Sequence, residues 1–295
     1  MENASTKSYH LIRRIKDQSF DVDDLHNYTL MLSFGIRDFQ LCVINGENRV
    51  LLLEDFRLEN IRTINSRIEV LQEVFDNHHL LKAGFWKAIK VALKTHKYTL
   101  VPKSHFIENA VRDYLLVNSE LKPGLENAMY YKHISSDAVN VFAGDMRLLR
   151  WIKTIYPNKQ ITVAHQGSAF IEGLLRQDDH PHNKAVFCLI EKGILHVVVT
   201  SKQNLLYYNQ FAIKQNEEYL KYLLLVFREL SLDQKSTRVI VWGNLKPDSQ
   251  LIGTLKKYIR DISFGNRPSF LKFNYHFDEI SDHQYFDLFN IFLCD

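Results

Sequence analysis

The densest run of like-charged chemistry in the chain is a ladder of lysines. Between Asn77 and Ile107 stand Lys82, Lys87, Lys90, Lys94, Lys97 and Lys103, with no Asp or Glu among them. Lys87, Lys90, Lys94 and Lys97 recur at spacings of three and four. On a helix that spacing lines four ammonium groups along one face, opposite Phe85, Ile89 and Leu93. A basic face of this kind binds phosphates or acidic surfaces through counterion release. It serves equally as a solvated outer face whose long stems shield apolar surface. No arginine-aromatic interleaving accompanies the ladder, so the solvated reading comes first and nucleic-acid binding second.

Other chemistry-bearing groups are isolated. Asp178-Asp179-His180-Pro181-His182 has the composition of a metal site, but no distant fourth ligand is marked, and Asp, His and Pro suit a polar linker. His78-His79 suits the negative end of a helix. Gly167-Ser168-Ala169 lacks the second glycine of a nucleophile elbow, although His165 is near, and Ser168 reads as a helix cap. No phosphate-binding P-loop, dinucleotide fingerprint or zinc-protease helix is present. No metal or cofactor is expected.

Composition sets the class. In 295 residues, hydrophobic side chains make up 46% and charged ones 24%, a globular balance. Lys+Arg 37 against Asp+Glu 34 gives +3, too near neutrality for a dedicated nucleic-acid binder. Cys42, Cys188 and Cys294 are far apart and each sits among apolar residues, so buried reduced thiols are expected. Met1 to Lys7 is polar, and no apolar run approaches the ~20 residues of a membrane span. A cytoplasmic protein with no membrane span is expected.

The elements that must position any site follow from periodicity. Tyr9 to Ile15 reads as an edge strand. Tyr28 to Ile36, Asp38 to Ile44 and Val50 to Phe56 read as an antiparallel meander, turned at Gly35-Ile36-Arg37 and at Asn45-Gly46. Helices are expected at Asn60 to Phe75, Leu81 to His96 and His105 to Val117, with a short strand at Tyr98 to Val101. A hairpin insertion (Met129 to Ile134, Ala138 to Phe142) precedes a helix at Asp145 to Tyr156, a strand at Gln160 to His165 and a helix at Ser168 to Arg176. The pattern then restarts. Strands at Lys184 to Ile190, Ile194 to Thr200 and Leu205 to Ile213 turn first at Gly193. A helix at Asn216 to Leu230, a strand at Arg238 to Trp242 and a helix from Pro247 to Arg260 follow. A strand at Phe270 to Phe273 and a helix at Tyr285 to Leu293, docked on its own lobe, close the chain. Strand-strand-strand-helix-strand-helix thus occurs twice, which predicts two mixed five-stranded sheets in lobes 1–177 and 184–295.

This doubled order resembles the actin-like ATPase superfamily, whose halves each carry a ribonuclease-H-like sheet beside a nucleotide cleft. The run LSFGIRDFQLCVI…LLLEDFRL from Leu32 and the ending HQYFDLFNIFLCD from His283 are similar to an uncharacterised bacterial family grouped with that fold. The resemblance implies where nucleotide stations would fall. Active members carry Asp-x-Gly at the first turn of each half. There the backbone N–H groups hold phosphate and the acid orients Mg²⁺.

Here the first turn reads Ser33-Phe34-Gly35, with Arg37 beyond it, and lacks that acid. The second reads Glu191-Lys192-Gly193, a longer acid beside a lysine. A later Gly-Gly is reduced to Gly243, next to bulky Trp242. Tyr28 to Arg37 holds no acid to start a nuclease's carboxylate cluster. The expectation is therefore a non-catalytic actin-like two-lobed protein that binds or assembles with a protein partner. A divergent nucleotide-binding ATPase or phosphotransferase using Glu191 and the two glycine turns is the alternative, and a lysine-stripe RNA binder the third.

Overall fold

A computed structural model describes residues 8–178, 181 and 183–295. Its first sheet is built from β1 (Tyr9–Lys16), β2 (Thr29–Phe34), β3 (Asp38–Ile44), β4 (Val50–Leu58), β5 (Ala88–Leu93) and, later in the chain, β9. Between β4 and β5 lies α1 (Ile64–Asn77), started by a reciprocal cap between Thr63 and Ser66. An inserted three-stranded sheet follows, from β6 (Tyr98–Pro102), β7 (Glu126–Lys132) and β8 (Ala138–Asp145), covered by the short α2 (Val111–Leu116). Then come α3 (Met146–Ile155), β9 (Ile161–His165) and α4 (Gln166–Leu175).

The second sheet uses β10 (Ala185–Glu191), β11 (Ile194–Ser201), β12 (Asn204–Ala212), β13 (Arg238–Gly243) and β14 (Ile262–Phe264). Helices α5 (Asn216–Glu229) and α6 (Gln250–Lys256) supply its crossovers, and α7 (Phe286–Asn290) ends the chain.

The two sheets share one plan. The first runs β1-β4-β3-β2-β5-β9 and the second β12-β11-β10-β13-β14. In each, a meander pairs antiparallel, and its first strand pairs in parallel with the strand after the helix. Strands β2, β3, β10 and β11 bury apolar residues on both faces, as strands flanked by helices must. The first turns, at Gly35 and Gly193, therefore occupy matching positions.

Several sequence expectations are corrected. The helix over Leu81 to His96 does not form; its second half is β5, at the centre of the first sheet between β2 and β9. Ile89, Val91 and Leu93 are buried there, while Phe85, expected inside, is 74% exposed and Trp86 is buried instead. The lysine ladder accordingly has no helix to line.

The helix over His105 to Val117 shrinks to α2 behind two single-turn 3-10 segments. Phe270 to Phe273 is not a strand, apart from one bridge between Arg49 and Lys272; Ile262–Phe264 takes the edge instead. Ser168 does not cap α4. The His165 ring accepts from the Gly167 N–H, and the Ser168 hydroxyl, fully buried, accepts from Asn140.

The C-terminal helix is wedged between the sheets rather than docked on the second alone. Phe286 meets Trp242 of β13 at 4.8 Å and Phe170 of α4 at 6.0 Å, while the 3-10 turn Ile291–Leu293 lies beside β5. One continuous core results, joining residues of both sheets through α4 and α7. A second core fills the far side of the β10–β14 sheet under α5 and α6.

Candidate functional site

The turn after β2 and the turn after β10 border one cleft of about 870 Å³. Gly35, Ile36, Arg37 and Asp38 come from the first sheet, Glu191, Lys192 and Ile194 from the second. The cleft is where strands β2, β5 and β10 end, and it is lined by Gly35 and Lys94, the residues just past β2 and β5, and by Glu191, the last of β10.

At the centre of that lining is Lys94, the residue after β5. Its Nζ donates to Asp38 Oδ2 at 2.6 Å, Glu191 Oε1 at 2.7 Å and Gln40 Oε1 at 3.1 Å. Three acceptors use all three ammonium protons. Burial alone would push the Lys94 pKa down, but Asp38 and Glu191, with Asp287 behind them, hold it above the ordinary lysine range. Asp38 is likewise buried, yet Lys94 and Lys192 keep its carboxyl below the ordinary range. Lys94 thus ties the first sheet to the second.

Around this ion pair the carboxylates continue. Gln166, at the start of α4, donates to both Glu191 Oε2 at 2.6 Å and Asp287 Oδ2 at 2.7 Å. Burial, and next Glu191, push the Asp287 carboxyl up to about 6. Asp55 of β4 is only 8% exposed, and its pKa is raised mainly by that burial. The Tyr285 hydroxyl donates to Asp55 Oδ2 at 3.2 Å, whereas Oδ1 is buried without a hydrogen bond. Lys192, with a 45% exposed side chain, hovers over the group at 3.2 Å from Asp38, 3.6 Å from Asp55 and 3.9 Å from Glu191.

The residues singled out from the sequence distribute as follows. Gly35, Arg37 and Glu191 line the cleft. Ser33 lies inside β2, buried, with its hydroxyl unpartnered by any hydrogen bond, and does not reach the cleft lining. Gly193 turns β10 into β11 with φ +80. Gly243 ends β13 at φ +126, where a Cβ would stand 2.0 Å from the Ile190 carbonyl oxygen, so only glycine fits; its neighbour Asn244 lines the cleft. The acid missing before Gly35 is replaced by one after it. Asp38 folds back over the turn so closely that a Cβ on Gly35 would fall 2.1 Å from Asp38 Oδ1.

The basic face is dispersed. Lys87 is exposed, but Lys90 is buried and donates to the Phe292 carbonyl at 2.7 Å and Asp295 at 2.5 Å. Lys94 is the floor of the cleft, and Lys97 donates to Glu126 at 2.6 Å and the Glu120 carbonyl at 2.6 Å. A strand rises ~3.3 Å per residue, so Lys90 and Lys94, on one face at an even spacing, are spread about 13 Å apart rather than one helical turn, and Lys87 and Lys97 fall outside β5. Among the described residues no group of His, Cys, Asp and Glu could hold a metal ion. Asp179, His180 and His182 lie outside the described residues.

Sequence reasoning missed Asp38, Asp55, Gln166 and Asp287. One signal was available. Glu54-Asp55 interrupts an otherwise apolar strand; Glu54 is answered by Arg14 at 2.6 Å and His78 at 2.9 Å, while Asp55 faces the cleft.

Comparison places these features in a known fold. A family model described as protein of unknown function (DUF3822) matches residues 17–262. No protein of curated function matches the sequence. A crystal structure from Bacteroides thetaiotaomicron, described as a protein with actin-like ATPase fold and unknown function, superposes with TM-score 0.79 at 19% identity. It covers 94% of this chain and 99% of its own. A PilM-PilN type IV pilus biogenesis complex superposes with TM-score 0.64 at 11% identity, covering 90% of this chain and 97% of the matched one. The fold is the actin-like ATPase fold.

Proposed function

The chain belongs to that family of unknown function, DUF3822, and from this premise we propose that it is a non-catalytic actin-like protein whose work is to bind or assemble with a protein partner. The observation that carries the reading is Lys94, whose ammonium bridges Asp38 and Glu191 at 2.6 and 2.7 Å between the two turns. A nucleotide with Mg²⁺ needs free backbone donors and uncommitted carboxylates at those turns. Here both carboxylates are spent on an internal cation, and displacing it would leave them buried and unpaired.

The shared strand order of the two sheets supports an ancient duplication, with lobes at 1–177 and 184–295 and the C-terminal helix returning between them. Three buried free cysteines accord with a cytoplasmic setting; no helix of the described residues is long and apolar enough to cross a membrane. The pilus biogenesis neighbour, a complex by its description, supports assembly as a use to which this fold is put.

Asp38 and Glu191 standing at both turns also favour a second reading, a divergent nucleotide-dependent enzyme. Calorimetric titration with ATP and Mg²⁺ separates the two. No heat of binding is expected; micromolar binding abolished by Glu191→Ala would establish the enzyme instead.

A further inference from the structure

Outside the cleft, α1 and α3 lie side by side with their first turns together. Arg147 Nη1 donates to Asn65 Oδ1 at 2.6 Å, and further along both helices Trp151 Nε1 donates to Gln72 Oε1 at 2.7 Å. At this corner stands Arg67, one turn into α1. Among the described residues its guanidinium has no hydrogen bond, ion pair or ring contact, and its Nε is fully buried.

Burial holds the Arg67 guanidinium below the ordinary arginine range, ahead of the pull of Asp145 and then Asp38. Neither acid pairs with it. Asp38 is committed to Lys94 and Lys192, and Asp145 caps α3 by accepting from the N–H groups of Arg147 and Leu148. A guanidinium drawn out of water without a partner costs free energy that an anion would restore.

Two further donors are open at the same corner. Arg147 Nε is buried without an acceptor. In the first turn of α1 the Thr63 hydroxyl accepts from the Ser66 N–H, while no described group accepts from the N–H of Ile64 or Asn65. We infer that this corner binds a phosphate group, as the free ion or as a monoester, held by Arg67 and Arg147 at the N-terminus of α1. Donors from three groups on two helices suit the four oxygens of a tetrahedral anion better than the two of a carboxylate. The inference stands apart from the reading of the cleft, whose lining includes none of these residues.

The test uses the full chain in buffer free of phosphate and sulfate, titrated calorimetrically at low salt with inorganic phosphate, ethyl phosphate and acetate. Phosphate is expected to bind saturably and at least about tenfold more tightly than acetate. Arg67→Gln is expected to weaken it about tenfold or more. Because that change removes an unpartnered charge, its urea midpoint in phosphate-free buffer should equal or exceed the wild type's, which also shows that the variant is folded. Phosphate should raise the melting temperature of the wild type and leave that of Arg67→Gln unmoved. Arg150→Gln, on the exposed side of α3, should bind as the wild type does. Tighter binding of inorganic phosphate would assign the site to the free ion, and tighter binding of ethyl phosphate to a monoester. No saturable binding, acetate as tight as phosphate, wild-type affinity in Arg67→Gln, or a lowered urea midpoint in that variant would overturn the inference.

Discussion

At the scale of single residues the cleft is an electrostatic construction, and its members respond differently to mutation and pH. Removing the Lys94 ammonium in Lys94→Ala leaves Asp38 and Glu191 buried without it. A loss of about 3–5 kcal/mol in urea unfolding is expected, against about 1 kcal/mol or less for Lys97→Ala, whose Glu126 partner is nearer the surface. Equal losses would show that Lys94 is not the clamp. Asp287 is sensitive to pH. Its folded pKa, about 6, lies above the ordinary 3.8. Its contribution is therefore most favourable below pH 3.8 and is lost as pH rises through 6. Asp287→Asn should raise the melting temperature more at pH 8 than at pH 4; the reverse order would contradict the assignment.

Two histidines at the sheet junction act in the opposite sense. Burial pushes His165 down to about 4 and His196 well below its ordinary 6.5. Stability from keeping them neutral is complete above pH 6.5 and falls as pH drops from there towards 4. Replacing His196 with Gln should flatten the stability loss between pH 6.5 and 4, read as urea midpoints across that range. An unchanged slope would assign the acid sensitivity elsewhere.

At the scale of elements, what the sequence disclosed depended on whether strand or helix periods were ambiguous. The meanders were legible because turn residues punctuate them: Gly35, Asn45-Gly46 and Gly193 each sit where a strand reverses. Strand β5 was hidden. A central parallel strand is buried on both faces, so Ala-Ile-Lys-Val-Ala-Leu carries no alternation, and its apolar residues coincide with helical spacing. The lysine ladder inherited that error, since Lys90 and Lys94 belong to a strand and its end.

Gln166 of the cleft lining and Asp287 buried behind it were illegible for another reason. They are assembled from α4 and α7, 121 residues apart, and no local pattern records such a meeting. Glycine also separates the elements by use. Gly253, inside α6 with open space around its Cβ position, should tolerate Gly253→Ala with a gain of about 0.5–1 kcal/mol. Gly243→Ala would collide with Ile190 at φ +126 and should cost several times that. Comparable unfolding midpoints for the two variants would refute the assignment.

At the scale of the whole molecule, two sheets of one plan are joined by α4, α7 and a buried ion pair. The proposed reading of the cleft as a binding site for something other than a nucleotide rests on that ion pair. Lys94 reaches from the first sheet to Glu191 of the second, in the crevice where the strands of both end. The most direct test is a crystal structure grown with Mg²⁺ and a non-hydrolysable ATP analogue at millimolar concentration. The account predicts Lys94 Nζ still seated between Asp38 and Glu191, with no triphosphate between the turns. A Mg²⁺-bound triphosphate held by the Gly35 and Gly193 turns, with the Lys94 ammonium swung away from Asp38, would contradict it.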